Sequence, residues 1–160
     1  MSLLPWLLLL HVLGAIIAFG PGFTFALIGS MGGKEPMHAN FATRVSLTIS
    51  ERIVVPLALL QGITGLGLIL VLGADLTSRS FYWLDLGIVL YLTALGYSLG
   101  VQLPTVRRVV AMTSSPPPPG SPPGPPPGVS PLVKRIQRGG MFTGLLVVAI
   151  VFLMVVKPTF

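Results

Sequence analysis

Cysteine is absent from the 160 residues, and charge is scarce, with four acidic and ten basic side chains making up 9% of the chain. Without cysteine there are no disulfides, no thiolate metal sites and no cysteine nucleophile. A soluble domain carries roughly 25% charged residues to cover its surface, so a chain this poor in charge meets lipid over much of its length. The first ten residues hold no Lys or Arg. A secretory signal begins with a basic stretch, so the first apolar run is expected to stay as a membrane helix. Nowhere does the sequence contain H-E-x-x-H or a phosphate loop, the spacings on which zinc and nucleotide chemistry depend.

What is present is apolar and arranged in runs. Hydrophobic residues make up 52% of the chain. About 20 apolar residues in helical conformation cross the hydrocarbon core, and four runs meet or approach that length: residues 3–28, 53–72, 81–103 and 141–156. The fourth is short and would cross with little tilt. The expected fold is all-α, a polytopic bundle of four transmembrane helices. Gly32-Gly33-Lys34-Glu35-Pro36 closes the first run. Residues 37–50 are not fully apolar, and Phe41, Val45, Ile49 and Ile53 recur every four residues. That period makes an amphipathic segment before the second span. Tyr82 and Trp83 mark a membrane–water interface, as Trp6 does for the first span.

Residues 114–131 are of low complexity and hold ten of the sixteen prolines. Proline fixes φ and removes the backbone donor, so the segment reads as an extended tether between a unit at 1–113 and a last helix at 132–160. Lys and Arg orient the chain, because cytoplasmic loops carry the excess. Lys34, Arg44, Arg52, Arg107, Arg108, Lys134, Arg135 and Arg138 fall on one side, and Arg79 and Lys157 on the other. The expectation is a multi-pass protein of a bacterial inner membrane with both termini periplasmic or extracellular and the tether cytoplasmic. The net charge of +6 is thereby used in orientation. Basic residues interleaved with aromatics, as single-strand binders have them, are missing, so nucleic acid is not an expected partner.

Lipid gives helices no hydrophobic reason to associate, so close packing at small residues matters. Gly14, Ala18 and Gly22 recur at four-residue spacing in the first span, Gly96 and Gly100 in the third, Gly140 and Gly144 in the fourth, and the second span holds Gly62, Gly65 and Gly67. These are the expected packing faces. Gly20-Pro21-Gly22 is expected to kink or unwind the first helix near its middle, and Pro56 to bend the second near its cytoplasmic end.

Polar residues inside a span are costly and turn inward. His11 lies about 12 Å below the outer surface at 1.5 Å per residue. Its imidazole is a candidate ligand for haem iron or copper; the plain alternative is a hydrogen bond to Tyr91, Thr93 or Asp85 in the third span. Met154 stands as a soft second ligand of poorly matching depth. Glu51 and Arg52 open the second span. Arg52 snorkels to the headgroups, and Glu51, which leaflet phosphates repel, is expected in a salt bridge with a residue such as Arg44 or Arg107. Gln61 is interhelical glue, and Asp85, a turn below the outer surface, wants a partner. Tyr91, Tyr97, Ser98 and Gln102 give the third helix the most polar interior, which marks it as the central one.

His11 followed by Gly14 and Gly20-Pro21-Gly22, together with Ser50-Glu51-Arg52 and Gln61-Gly62-Ile63-Thr64-Gly65, resembles a bacterial family of predicted integral membrane proteins of unknown function. That family is distantly similar to copper-resistance membrane proteins and to a haem-binding protoporphyrinogen oxidase. The resemblance implies four helices with a histidine in the first, and His11 as a haem or metal ligand, with haem b the implied cofactor. Two functions of different class follow as expectations. One is a non-catalytic accessory subunit that meets other membrane subunits or itself in the bilayer. The other is a haem- or porphyrin-binding redox protein using His11. A transporter or channel fits less well, because four short spans hold few internal charges.

Overall fold

The computed structural model describes residues 3–115 and 124–158. Within them the chain is all-helical, and four helices are long and apolar enough to cross a membrane. The first, α1, is Leu4–Lys34. The second begins with a 3-10 turn at Pro36–His38 and α2, Ala39–Ile49, passes through a π-helical segment at Ser50–Val54, and ends as α3, Val55–Leu72. The third is α4, Tyr82–Tyr97, a second π-helical segment, Ser98–Gln102, and α5, Leu103–Thr113. The fourth is α6, Val129–Val156.

The sequence explains where the helices stop. At the turn between the second and third spans Gly73 takes the left-handed conformation, φ 61°. Its N–H donates to the carbonyl of Leu70 and the N–H of Ala74 to that of Ile69, the glycine-closed end that satisfies two orphan carbonyls. Asp75 Oδ1 then accepts from the backbone N–H (2.9 Å) and hydroxyl (2.7 Å) of Thr77. Those two bonds hold the Asp75 carboxyl below the usual carboxylate range, the hydroxyl acting more strongly. The basic end turns more tightly. A Cβ on Gly32 would lie 3.0 Å from that of Ala42, so α1 and α2 fold against each other there only because residue 32 is glycine.

Three expectations need correction here. Helix α1 runs through Pro21 without unwinding, and the wide turns are elsewhere. Each π segment stands directly before a proline, Pro56 or Pro104, at the second residue of the α-helix that follows. Proline lacks the N–H of the i→i−4 bond and its ring crowds the carbonyl of residue i−4, which is Arg52 in one helix and Gly100 in the other. A π turn at that carbonyl makes room. Pro21 does without one. Next, the fourth helix is 28 residues long, because 129–131 are helical and its first turns are basic rather than apolar. The tether is correspondingly shorter than 114–131, and its residues 116–123 lie outside the described ones. Lastly, the third span is not central. Helix α1 packs along α3 and α2 and touches α6; α4 packs along α6; α5 closes against α2 and α6. The result is a ring of four.

The ring holds little. Ala18 is the most buried apolar residue at 1% exposure, and large side chains such as Leu27, Ile63, Leu70 and Leu145 lie more than 60% open. A soluble protein could not sustain this surface, but a bilayer covers it.

Candidate functional site

Polar groups gather at three levels of the ring. In the half away from the basic end, His11 on α1 faces α3. Its Nδ1 is 2.9 Å from Thr64 Oγ1, and its Cε1 lies 3.3 Å from the point where a Gly65 Cβ would stand. The glycine thus makes the recess that the ring occupies. Thr64, itself buried, has its hydroxyl within 3.1 Å of the Leu60 carbonyl and 3.2 Å of the Gln61 carbonyl. The His11 ring is half-buried, and among the described residues nothing bonds its Nε2. The partner of His11 is therefore Thr64 in the second span rather than Tyr91, Thr93 or Asp85 in the third. One turn deeper, Gln61 is 8% exposed. Its buried Oε1 has no hydrogen-bond partner among the described residues, and it sits 3.0 Å from where a Gly14 Cβ would be.

At mid-depth, Tyr91 of α4 crosses to α3. Its hydroxyl donates to the Ala58 carbonyl at 2.8 Å and passes 2.6 Å from the position of a Gly62 Cβ. A helix carbonyl keeps one lone pair free for such a bond, and Gly62 lets the ring reach it. This is the contact that ties the second span to the third within the hydrocarbon.

At the basic end, Glu51 Oε1 accepts from Arg107 Nε at 2.7 Å. Of the partners expected for Glu51, Arg107 is the one it meets. The pair joins the first π segment to α5, with the carboxylate 36% exposed. Arg52 points outward. Asn40 Nδ2 donates to Thr113 Oγ1 at 2.7 Å, fastening α2 to α5. Gln102 Nε2 donates to the Ile136 carbonyl at 3.0 Å, while its Oε1 lies over Gly139 beside the Tyr97 hydroxyl. His38 pairs with Glu35 at this end, the length of α1 away from His11.

The predicted packing residues divide. Gly14 and Ala18 are buried, with Gly14 against Gln61. Nothing comes within 4 Å of a Cβ placed on Gly22, Gly96, Gly100 or Gly144, and Gly140 has only Gln102 Nε2 at 4.0 Å. Among the described residues no helix approaches closely at these glycines. The tightest approaches are at Gly62, Gly87 and Gly139, of which Gly87 and Gly139 were not anticipated. Gly139 with Thr143 four residues on is also a small-residue pair, one step round the helix from Gly140 and Gly144, and spacing alone does not choose between them. Met154 fills the recess over Gly87, its Cε 2.9 Å from the Cβ position, so it serves α4–α6 packing and not His11. Asp85 is partly exposed, and no hydrogen bond reaches it among the described residues. Among those residues, no three of His, Cys, Asp and Glu gather as a metal site would require.

No curated protein and no solved structure matches this chain. A family model does, over residues 5–158. With four spans, two fixed turns and a thin polar interior covered by that match, the chain belongs to the family described as "Predicted integral membrane protein (DUF2269)".

Proposed function

We propose that this chain is an accessory, non-catalytic component of a larger membrane assembly, seated in a bacterial inner membrane with both termini outside and the proline-rich tether in the cytoplasm. One observation carries the reading. Gly96 and Gly100 form an open four-residue pair on the third span, with nothing within 4 Å of either Cβ position. Glycine in a helix costs roughly 1 kcal/mol relative to alanine, and the chain gains no internal packing for it here. Helices in lipid meet at such faces. Exposed Leu92 and Thr93 lie along the same helix. The test uses the absence of cysteine. Gly100→Cys in native membranes is expected to cross-link to a neighbouring helix, either a second copy or another subunit, whereas Leu70→Cys, open to lipid on the second span, is not. Gly96→Leu with Gly100→Leu is expected to release the chain from its assembly while leaving it folded. Monomeric behaviour of the wild type in native membranes would overturn the proposal.

A second reading rests on His11. If Thr64 keeps its hydroxyl proton on the Leu60 or Gln61 carbonyl, His11 Nδ1 carries the imidazole proton and Nε2 presents its lone pair. Ligating histidines are commonly oriented in this way by a bond at the other nitrogen. On this reading the protein binds haem b or another metalloporphyrin through His11, in keeping with the resemblance to haem-binding and copper-resistance membrane proteins. Purified protein would then carry a Soret band that disappears in His11→Ala and weakens or shifts in Thr64→Val. A colourless, metal-free protein would end it.

A further inference from the structure

A cleft of about 640 Å³ opens between the start of α6 and the end of α4 at the basic end of the ring. Lys134, Arg135 and Arg138 line its upper part, and Tyr97 and Phe142 its lower part. The two rings meet edge to face with centroids 5.2 Å apart. Behind them is the Gln102–Gly139 contact, whose buried Oε1 has no hydrogen-bond partner among the described residues. The floor is thus close-packed, and the mouth holds three cations within about 6 Å along the helix axis.

Those cations lack an acidic neighbour. The chain has four acidic side chains. Glu35 is paired with His38 and Glu51 with Arg107. Asp75 is bonded to Thr77 in the outer turn, and Asp85 stands in the first turn of α4, at that same outer end. Three unneutralised cations over an apolar floor need an anion from outside the chain. Beyond Phe142 the face of α6 continues into Leu145, 71% exposed, and Val148, 53% exposed. Charge at the top and uninterrupted hydrocarbon surface below match an amphiphile. A free phosphate would use only the upper half.

We propose that this cleft is a binding site for one anionic phospholipid, its phosphate held by Lys134, Arg135 and Arg138 and the start of an acyl chain laid on Phe142. Guanidinium groups present paired donors to phosphate oxygens, and each basic group near an anionic leaflet strengthens binding severalfold. The site stands apart from the assembly and His11 readings. It follows the proposed orientation only in placing the lipid in the cytoplasmic leaflet.

Native mass spectrometry of the full chain in detergent, titrated with dioleoyl phosphatidylglycerol or dioleoyl phosphatidylcholine, tests it. The wild type is expected to retain one phosphatidylglycerol in preference to phosphatidylcholine. Lys134→Gln, Arg135→Gln and Arg138→Gln together should weaken that retention by roughly tenfold or more. Lys34→Gln, Arg44→Gln and Arg108→Gln remove as much charge from the same end and should leave it unchanged. Equal loss in both triple variants would mean diffuse attraction to the basic end and would overturn the site. Phe142→Ala should also weaken retention, with no change of charge, and unaltered retention would overturn the acyl contact. Glycerol 3-phosphate is expected not to displace the lipid; displacement at matching concentration would assign the cleft to free phosphate instead. All variants are checked for helical content and elution volume. If the triple variant does not fold, charge reversal at exposed Arg138 (Arg138→Glu) tests the same claim.

Discussion

One methyl group divides the glycines of this chain into two sets. A Cβ at Gly62 would stand 2.6 Å from the Tyr91 hydroxyl, while at Gly144 it would meet nothing. Gly62→Ala should therefore push Tyr91 off the Ala58 carbonyl and cost about 1–3 kcal/mol, as overpacking does. Tyr91→Phe keeps the ring and loses the bond, a cost of about 0.5–2 kcal/mol in a membrane interior. Because both changes strike one contact, the double variant should fall short of the sum. Reversible unfolding in mixed micelles measures all three, and additive losses would separate Gly62 from the Tyr91 bond. Gly144→Ala should be neutral or slightly stabilising. The sequence listed the small residues without revealing which set each joined. Four-residue spacing locates a face on its own helix, but what lies opposite depends on the crossing of another helix. Gly139 and Gly140 differ by one step round α6, and only Gly139 lies under Gln102 and Tyr97. His11 had the same difficulty. Its inward position followed from the price of a polar group in lipid, while the choice of Thr64 over Tyr91 required knowing that α1 packs along α3.

Elements were more legible, because their causes are local. Apolar length gave the four spans, and the four-residue period of Phe41, Val45 and Ile49 the amphipathic α2. The π segments were not legible. Beyond the first turn of each span three prolines stand within the long helices, at Pro21, Pro56 and Pro104, and composition does not say which carbonyl will yield. Neighbours decide it. Glu51 in one π segment is held by Arg107, and Gln102 in the other is held by the Ile136 carbonyl. Pro104→Ala restores an N–H that can reach the Gly100 carbonyl, so the π turn should relax towards α. That relaxation turns Gln102 away from Ile136. Hydrogen exchange should then slow at residue 104 and its neighbours and quicken at the start of α6, and unchanged protection would show that the π turn does not depend on proline. The turn between the second and third spans has a pH dependence of definite sign. The Asp75 carboxyl is held below its ordinary value of 3.8 by Thr77. The order it lends the turn is fully present above that value and lost as pH falls through the lower, folded one. The Thr77 amide resonance should follow that titration, and Asp75→Asn should abolish it.

At the scale of the whole molecule, charge and shape are aligned. The two long hairpins carry Lys34 and Arg44 to the same end as Arg107 and Arg108, and α6 begins there with Lys134, Arg135 and Arg138. The other end holds Lys157, whose Nζ lies 5.4 Å above the Trp83 ring, bringing the close of α6 to the start of α4. The ring is thus polar along its axis, strongly basic at one end and aromatic at the other. Moving Lys or Arg through the bilayer centre is opposed by about 2.5–3.5 kcal/mol per residue on insertion scales, so the proposed orientation, with the basic end in the cytoplasm, is expected to hold once the first loop has been retained there. The chain has no cysteine to confuse the measurement. A membrane-impermeant maleimide applied to intact cells should label Ser80→Cys, in the turn before α4, and spare Ser115→Cys, just beyond α5; opened vesicles should label both. Labelling of Ser115→Cys alone in intact cells would invert the orientation and move the phospholipid cleft to the outer leaflet. Labelling of both from outside would break the count of four spans, because α4 and α5 together cross the membrane once.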